Sequence, residues 1–109
     1  MKKQKKNKKV KLRVIQQNKV TGHPSYPFVQ TNNIVKAVGF THDPKEEHGK
    51  KEKLIHNINP KDTSDCYVKL DIETFNAKFY EERAKYKNYI IHQDDQPLVN
   101  RIIRKNKKR

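Results

Sequence analysis

The stretch Tyr26–Phe40, "YPFVQTNNIVKAVGF", constrains the fold more than any other part of the chain. Two runs of good strand formers are separated by Thr31-Asn32-Asn33, and asparagine tolerates the positive φ that a tight turn requires. The spacing predicts a β-hairpin. Ile34 to Phe40 is apolar enough for a central strand, and Gly39 within it marks a bulge or a close approach. Pro24 and Pro27 restrict the first strand to an edge position or a late start, because proline donates no ladder hydrogen bond. A histidine stands at each end of the unit, His23 before it and His42 after it.

Around the hairpin the pattern is mostly that of short strands. Val10, Leu12 and Val14 alternate with Lys11 and Arg13, which predicts a half-buried strand with a basic outer face. Residues 16–22 read as a loop, with Gly22 free to take an unusual backbone angle. A long polar loop follows from Thr41 to Lys53. "KLIHNI" predicts a short strand with Leu54, His56 and Ile58 on one face and Ile55 on the other. "NPKDTSD" is a turn. "CYVKLDI" alternates most clearly, with Cys66, Val68, Leu70 and Ile72 on one face. Phe75 and Phe79 are four apart, which predicts a short helix over 74–85 with Thr74 as its cap. Tyr86, Tyr89, Ile90 and Ile91 would cover an edge. Leu98, Val99, Ile102 and Ile103 at helical spacing predict a last helix over about 95–104, capped by Asp94 or Asp95 and with Pro97 in its first turn.

Five short strands and a terminal helix indicate a β-rich α+β fold, either a small SH3-like barrel or a bent antiparallel sheet with a C-terminal helix. One small domain over 10–103 is expected, between a disordered basic tail at 1–9 and a basic tail at 104–109.

Charge suggests the partner. The chain has 109 residues and a net charge of +14. Residues 1–9 hold six lysines and residues 101–109 hold six lysines or arginines, so residues 10–100 carry only +2. Basic ends of this kind attract polyanions, and neutralising phosphates releases their condensed counterions. Nucleic acid is the expected partner, RNA before DNA. Tyrosines interleaved with cations would supply stacking platforms, and the candidate contacts are Arg13, Tyr26, Lys36, Tyr67, Lys69, Arg101, Arg104 and Lys105. No apolar run approaches the roughly 20 residues that cross a bilayer, and the basic start is not followed by the apolar segment of a signal peptide. No membrane insertion is therefore expected. The single Cys66 excludes an internal disulfide and suits a cytoplasmic location.

The spacing of Cys66 and the five histidines lacks the close pairs of a zinc site, so neither a metal nor a cofactor is expected. A Gly-rich phosphate loop and a Ser nucleophile motif are also absent from the sequence. Acid–base cleavage of RNA remains. It needs one group to take the 2′-OH proton, one to protonate the leaving 5′-oxygen, and a cation for the charged phosphorane. His23 and His42 would meet at the open end of the hairpin, with Arg13 or Lys36 nearby and Asp43, Asp62 or Asp65 orienting a ring; Asp43 is the first choice for that role.

"GHPSYPFVQTNNIVKAVGFTH", then "KLIHNI" and "CYVKLDI", resembles the MazF/PemK-type toxin domain. His23-Pro24 stands where that family has a basic residue and proline before an apolar strand, and Thr41-His42 where it has a Thr-Ser pair. The family's basic-glycine opening has no counterpart here. The chain is also similar to small mobile-element proteins with an HPxY…GxTH…NP arrangement, through His23, Tyr26, Gly39, Thr41, His42, Asn59 and Pro60. The resemblance implies an SH3-like barrel, metal-independent endoribonuclease activity and an antitoxin partner in a toxin–antitoxin system. The sequence thus supports a nucleic-acid-binding protein, with two alternatives: that endoribonuclease, or an interaction protein that inhibits a nucleic-acid-handling enzyme.

Overall fold

The computed structural model describes residues 10–107. The expected tail at 1–9 and the last two residues of the one at 104–109 lie outside the described residues. Seven strands form: β1 (Gln16–Asn18), β2 (Pro24–Thr31), β3 (Ile34–Thr41), β4 (Lys51–Lys53), β5 (Tyr67–Lys69), β6 (Glu73–Asn76) and β7 (Tyr80–Glu81). They make one antiparallel sheet in the order β4-β5-β3-β2-β1-β7, with β6 also paired to β3. The sheet is not closed, so the bent antiparallel sheet describes it and the barrel does not. One helix follows, α1 (Gln96–Lys107).

The hairpin forms as its sequence dictates. Thr31 pairs with Ile34, and Asn32 and Asn33 take φ of 43° and 71°, the twist that lets two strands meet across a two-residue turn. Strand β2 starts at Pro24, and β1 pairs with it only at Pro24 and Ser25. Pro27 therefore sits where β2 has no further strand beside it, and the register shifts between Pro27 and Val29. Strand β3 is central. Its far side pairs with β6 from Ile34 to Ala37 and with β5 at Phe40 and Thr41.

Both faces of β3 are consequently covered. Val38 and Phe40 enter the main core with Phe28, Val68 and the buried face of α1, Val99, Ile102 and Ile103. Val35 and Ala37 point the other way, into a small cluster with Val10, Ala77 and Tyr80. The apolar positions of α1 recur three and four apart, so one stripe is buried; each such side chain contributes about 1.5–3 kcal/mol. Arg101, Arg104 and Lys105 lie on its exposed side. The helix runs to Lys107, three residues past the expected end, and so takes in the start of the expected tail.

Three expected elements do not form. Residues 10–15 are a turn rather than a strand: Arg13 has φ of 68°, and its amide donates to the Pro27 carbonyl at 2.8 Å. The strand lies instead at Gln16–Asn18, inside the expected loop. Residues 74–85 are not a helix. Phe75 is in β6, where it packs on the small cluster, and Phe79 ends a 3₁₀ turn capped by the Asn76 side chain. Tertiary pairing with β3 overrides the four-residue spacing. Of "KLIHNI" only Lys53 is in a strand; Leu54 and Ile58 are buried and Ile55 is exposed as expected, while His56, expected on the face of Leu54 and Ile58, is half-exposed beside Asp94.

Candidate nucleic-acid interface and histidine pocket

The antiparallel pairing of Ser25 with Gly39 brings the open end of the hairpin together. His23 and His42 there line one cavity of about 190 Å³, together with Thr41, Lys85, Tyr86 and Tyr89. His23 is half-buried. Burial, then the positive charge of Lys69, lowers its pKa below the ordinary value; Glu73 opposes the shift, and His42 and Lys51 add to it. At neutral pH His23 is therefore a neutral imidazole with a free lone pair. His42 is more exposed. Its Nδ1 donates to the Asp65 carbonyl at 3.1 Å, which leaves Nε2 facing the Asp62 carboxylate at 4.0 Å. Asp62 is itself held in its charged form, chiefly by the Ser64 amide and hydroxyl.

Lys45 and Lys51 are among the contacts of Asp43. Its carboxylate accepts from the Lys45 amide at 3.0 Å and lies 3.9 Å from the Lys51 ammonium, whose side chain is only 3% exposed and also donates to the Lys45 carbonyl. Arg13 and Lys36 do not line the histidine cavity; Lys85 lines it, and the charges of Lys69 and Lys51 act on His23.

A second, larger concavity of about 580 Å³ shares Tyr86 and Tyr89 with the first. Tyr26 lines it too, beneath the Arg13 guanidinium at 5.9 Å from the ring centre. Tyr86 and Tyr89 meet with ring centres 4.7 Å apart, and the Lys85 ammonium lies 5.3 Å from the Tyr86 ring. Lys11, Arg83 and Lys87 add positive charge, and Glu82 is the one acid among the lining residues. Tyr26 and Tyr89 are framed by cations on this surface, over the buried Tyr86, where the turn at 11–14 and the segment 82–91 converge near the start of β2.

The remaining candidates do not gather there. Tyr67 lies beside His42 in a shallow depression with Asp62 and Asp65. Lys69 lines a different hollow with Glu73, Lys36 is within β3, and Arg101, Arg104 and Lys105 lie on α1.

Two arrangements were invisible in the sequence. Buried Glu73 accepts from Asn18 Nδ2 at 2.9 Å, Ser25 Oγ at 2.7 Å and Tyr80 OH at 3.2 Å, all at Oε1. Burial and this carboxylate raise the Tyr80 pKa far above its ordinary value. Glu73 Oε2 has no hydrogen-bond partner among the described residues. His56, His92 and Asp94 also converge, with ligand atoms all within 4.8 Å of one another. Pairs far apart in sequence leave no spacing signal. Among the described residues no helix is long and apolar enough to cross a membrane. No family model matches the chain, and no curated protein and no solved structure matches it significantly.

Proposed function

We propose that this protein binds single-stranded nucleic acid, RNA before DNA, in the groove lined by Tyr26, Tyr86 and Tyr89. The observation that carries this reading is the pair of partly exposed rings of Tyr26 and Tyr89, framed by Lys11, Arg13, Arg83 and Lys87 over the buried Tyr86. Every base has a π-face, so such rings stack on bases without strict sequence preference, while the cations track the backbone. The basic residues at both ends of the chain add phosphate contacts that release counterions. Titration with a short labelled oligoribonucleotide, followed by amide NMR, tests the groove. Shifts concentrated at residues 11–15 and 82–91 support it; shifts confined to α1 contradict it.

The shared pocket of His23 and His42 favours a second reading, metal-independent cleavage of the bound strand. Neutral His23 takes the proton from a 2′-hydroxyl. The 2′-oxygen then attacks phosphorus, the bond to the 5′-oxygen breaks, and His42 supplies the proton to that leaving oxygen. The products are a 2′,3′-cyclic phosphate and a 5′-hydroxyl, and Lys85 or Lys69 offsets the phosphorane charge. Incubation with RNA in chelator tests this. Cleavage by the wild type that both His23→Ala and His42→Ala abolish, with binding retained, is the expected result. Intact RNA leaves the binding reading alone standing. The same chemistry fits the toxin-type resemblance of the sequence and its antitoxin partner.

A further inference from the structure

We propose that His56, His92 and Asp94 form a binding site for a divalent transition-metal ion of the zinc type. The ion would clip the connection after β4 to the start of α1. The site is independent of the RNA reading.

The donor set suits that ion. Imidazole nitrogen and carboxylate oxygen bind zinc, whereas magnesium prefers oxygen alone. His56 Nε2 and Asp94 Oδ2 are 2.9 Å apart, and His92 Nδ1 lies 3.5 Å from the same oxygen. These separations are near those between ligands on one tetrahedral ion, given zinc–ligand bonds of about 2.0–2.2 Å. The rings of His56 and His92 stack at 3.7 Å with 27° between their planes. The Asp94 amide donates to His92 Nδ1 at 3.0 Å, so in this structure that lone pair is taken up by the backbone of Asp94. An ion would replace this hydrogen bond and part the stacked rings.

The supporting structure is already in place. Asp95, 2% exposed, accepts from the Ile55 amide at 2.7 Å and the His56 amide at 2.9 Å. It thereby fixes the backbone of one ligand against the segment that carries the other two. His56 and Asp94 are 38 residues apart, so an ion joining them closes a long loop. Cys66 lines the neighbouring hollow with His56 and His92 but is not among the converging ligand atoms, which leaves three protein ligands and an open position for water.

The test is competition of the full chain against a chromophoric chelator for Zn²⁺, with thermal melting alongside. One equivalent is expected to bind and to raise the melting temperature. His56→Gln, His92→Gln and Asp94→Asn should each weaken binding at least ~10-fold and remove the thermal shift, with circular dichroism unchanged. His42→Asn should keep zinc affinity, and Mg²⁺ should not compete. No stoichiometric binding by the wild type would overturn the proposal, as would equal affinity in the three ligand variants or loss of affinity in His42→Asn.

Discussion

Gly39 and Glu73 pack so closely that a β-carbon on Gly39 would stand 2.3 Å from Glu73 Oε2. The expected close approach of β3 at this glycine is therefore to a buried carboxylate on β6, whose strand pairs with β3 through Ala37 and Glu73. Gly39→Ala must displace the Glu73 side chain or the strand, at a cost of about 1–3 kcal/mol. Urea denaturation checks this; a midpoint equal to that of the wild type would contradict the packing.

Glu73→Ala should be costlier still. It strips a shared acceptor from Asn18, Ser25 and Tyr80, all buried, and one stranded donor alone costs about 1–3 kcal/mol. The same denaturation series reads the loss, and a change within ~0.5 kcal/mol, the size of an ordinary surface substitution, would rule out a structural role for the cluster.

His23 gives a pH dependence of stability with a definite sign. Its folded-state pKa lies below the ordinary histidine value of 6.5, so between the two values the unfolded chain binds more protons than the folded one. Stability then rises with pH across that window and levels off above about 6.5. His23→Asn should flatten this rise between about pH 5 and 7. An unaltered slope would mean that His23 is not held neutral. The Asp62 contribution falls in a separate window, because its pKa is lowered from 3.8 and its share of stability is lost only as the pH falls through that lowered value.

Asp95 anchors the start of α1 through the connection after β4 rather than through its own helix. The Val99 amide donates to its backbone carbonyl at 3.1 Å, while both carboxylate oxygens take the Ile55 and His56 amides. Asp95→Ala should cost about 2–3 kcal/mol, since bonds to a charged group are worth roughly 1.5–3 kcal/mol. Amide exchange should quicken at Ile55 and His56; unchanged exchange there would show that the two amides do not depend on Asp95.

The parts of the fold legible in the sequence are those set by local chemistry. Asn32-Asn33 specified the turn, Gly39 the close approach, Gly22 its positive φ of 77°, and the stripe Leu98, Val99, Ile102, Ile103 the helix. The parts misread depend on partners distant in the chain. Phe75 and Phe79 carry helical spacing, but β3 offers Phe75 a strand to pair with, through Val35. Val10, Leu12 and Val14 alternate like a strand, yet only Val10 is buried, and the backbone turns at Arg13. The meeting of His23 and His42 was legible because a hairpin brings its own ends together. The Tyr26 groove and the Glu73 cluster were not, since each draws on segments that meet only in the folded chain.

The most direct test of the central claim is fluorescence anisotropy of a labelled single-stranded oligoribonucleotide with the full chain, comparing wild type and Tyr89→Leu over a range of salt. The account predicts that Tyr89→Leu weakens binding by ~1–3 kcal/mol, the worth of one base stacked on an aromatic ring. It also predicts that the logarithm of the affinity falls linearly with the logarithm of salt, with the same slope in both proteins, because the substitution removes stacking and no phosphate contact. Equal affinity of the two proteins at every salt concentration would contradict it.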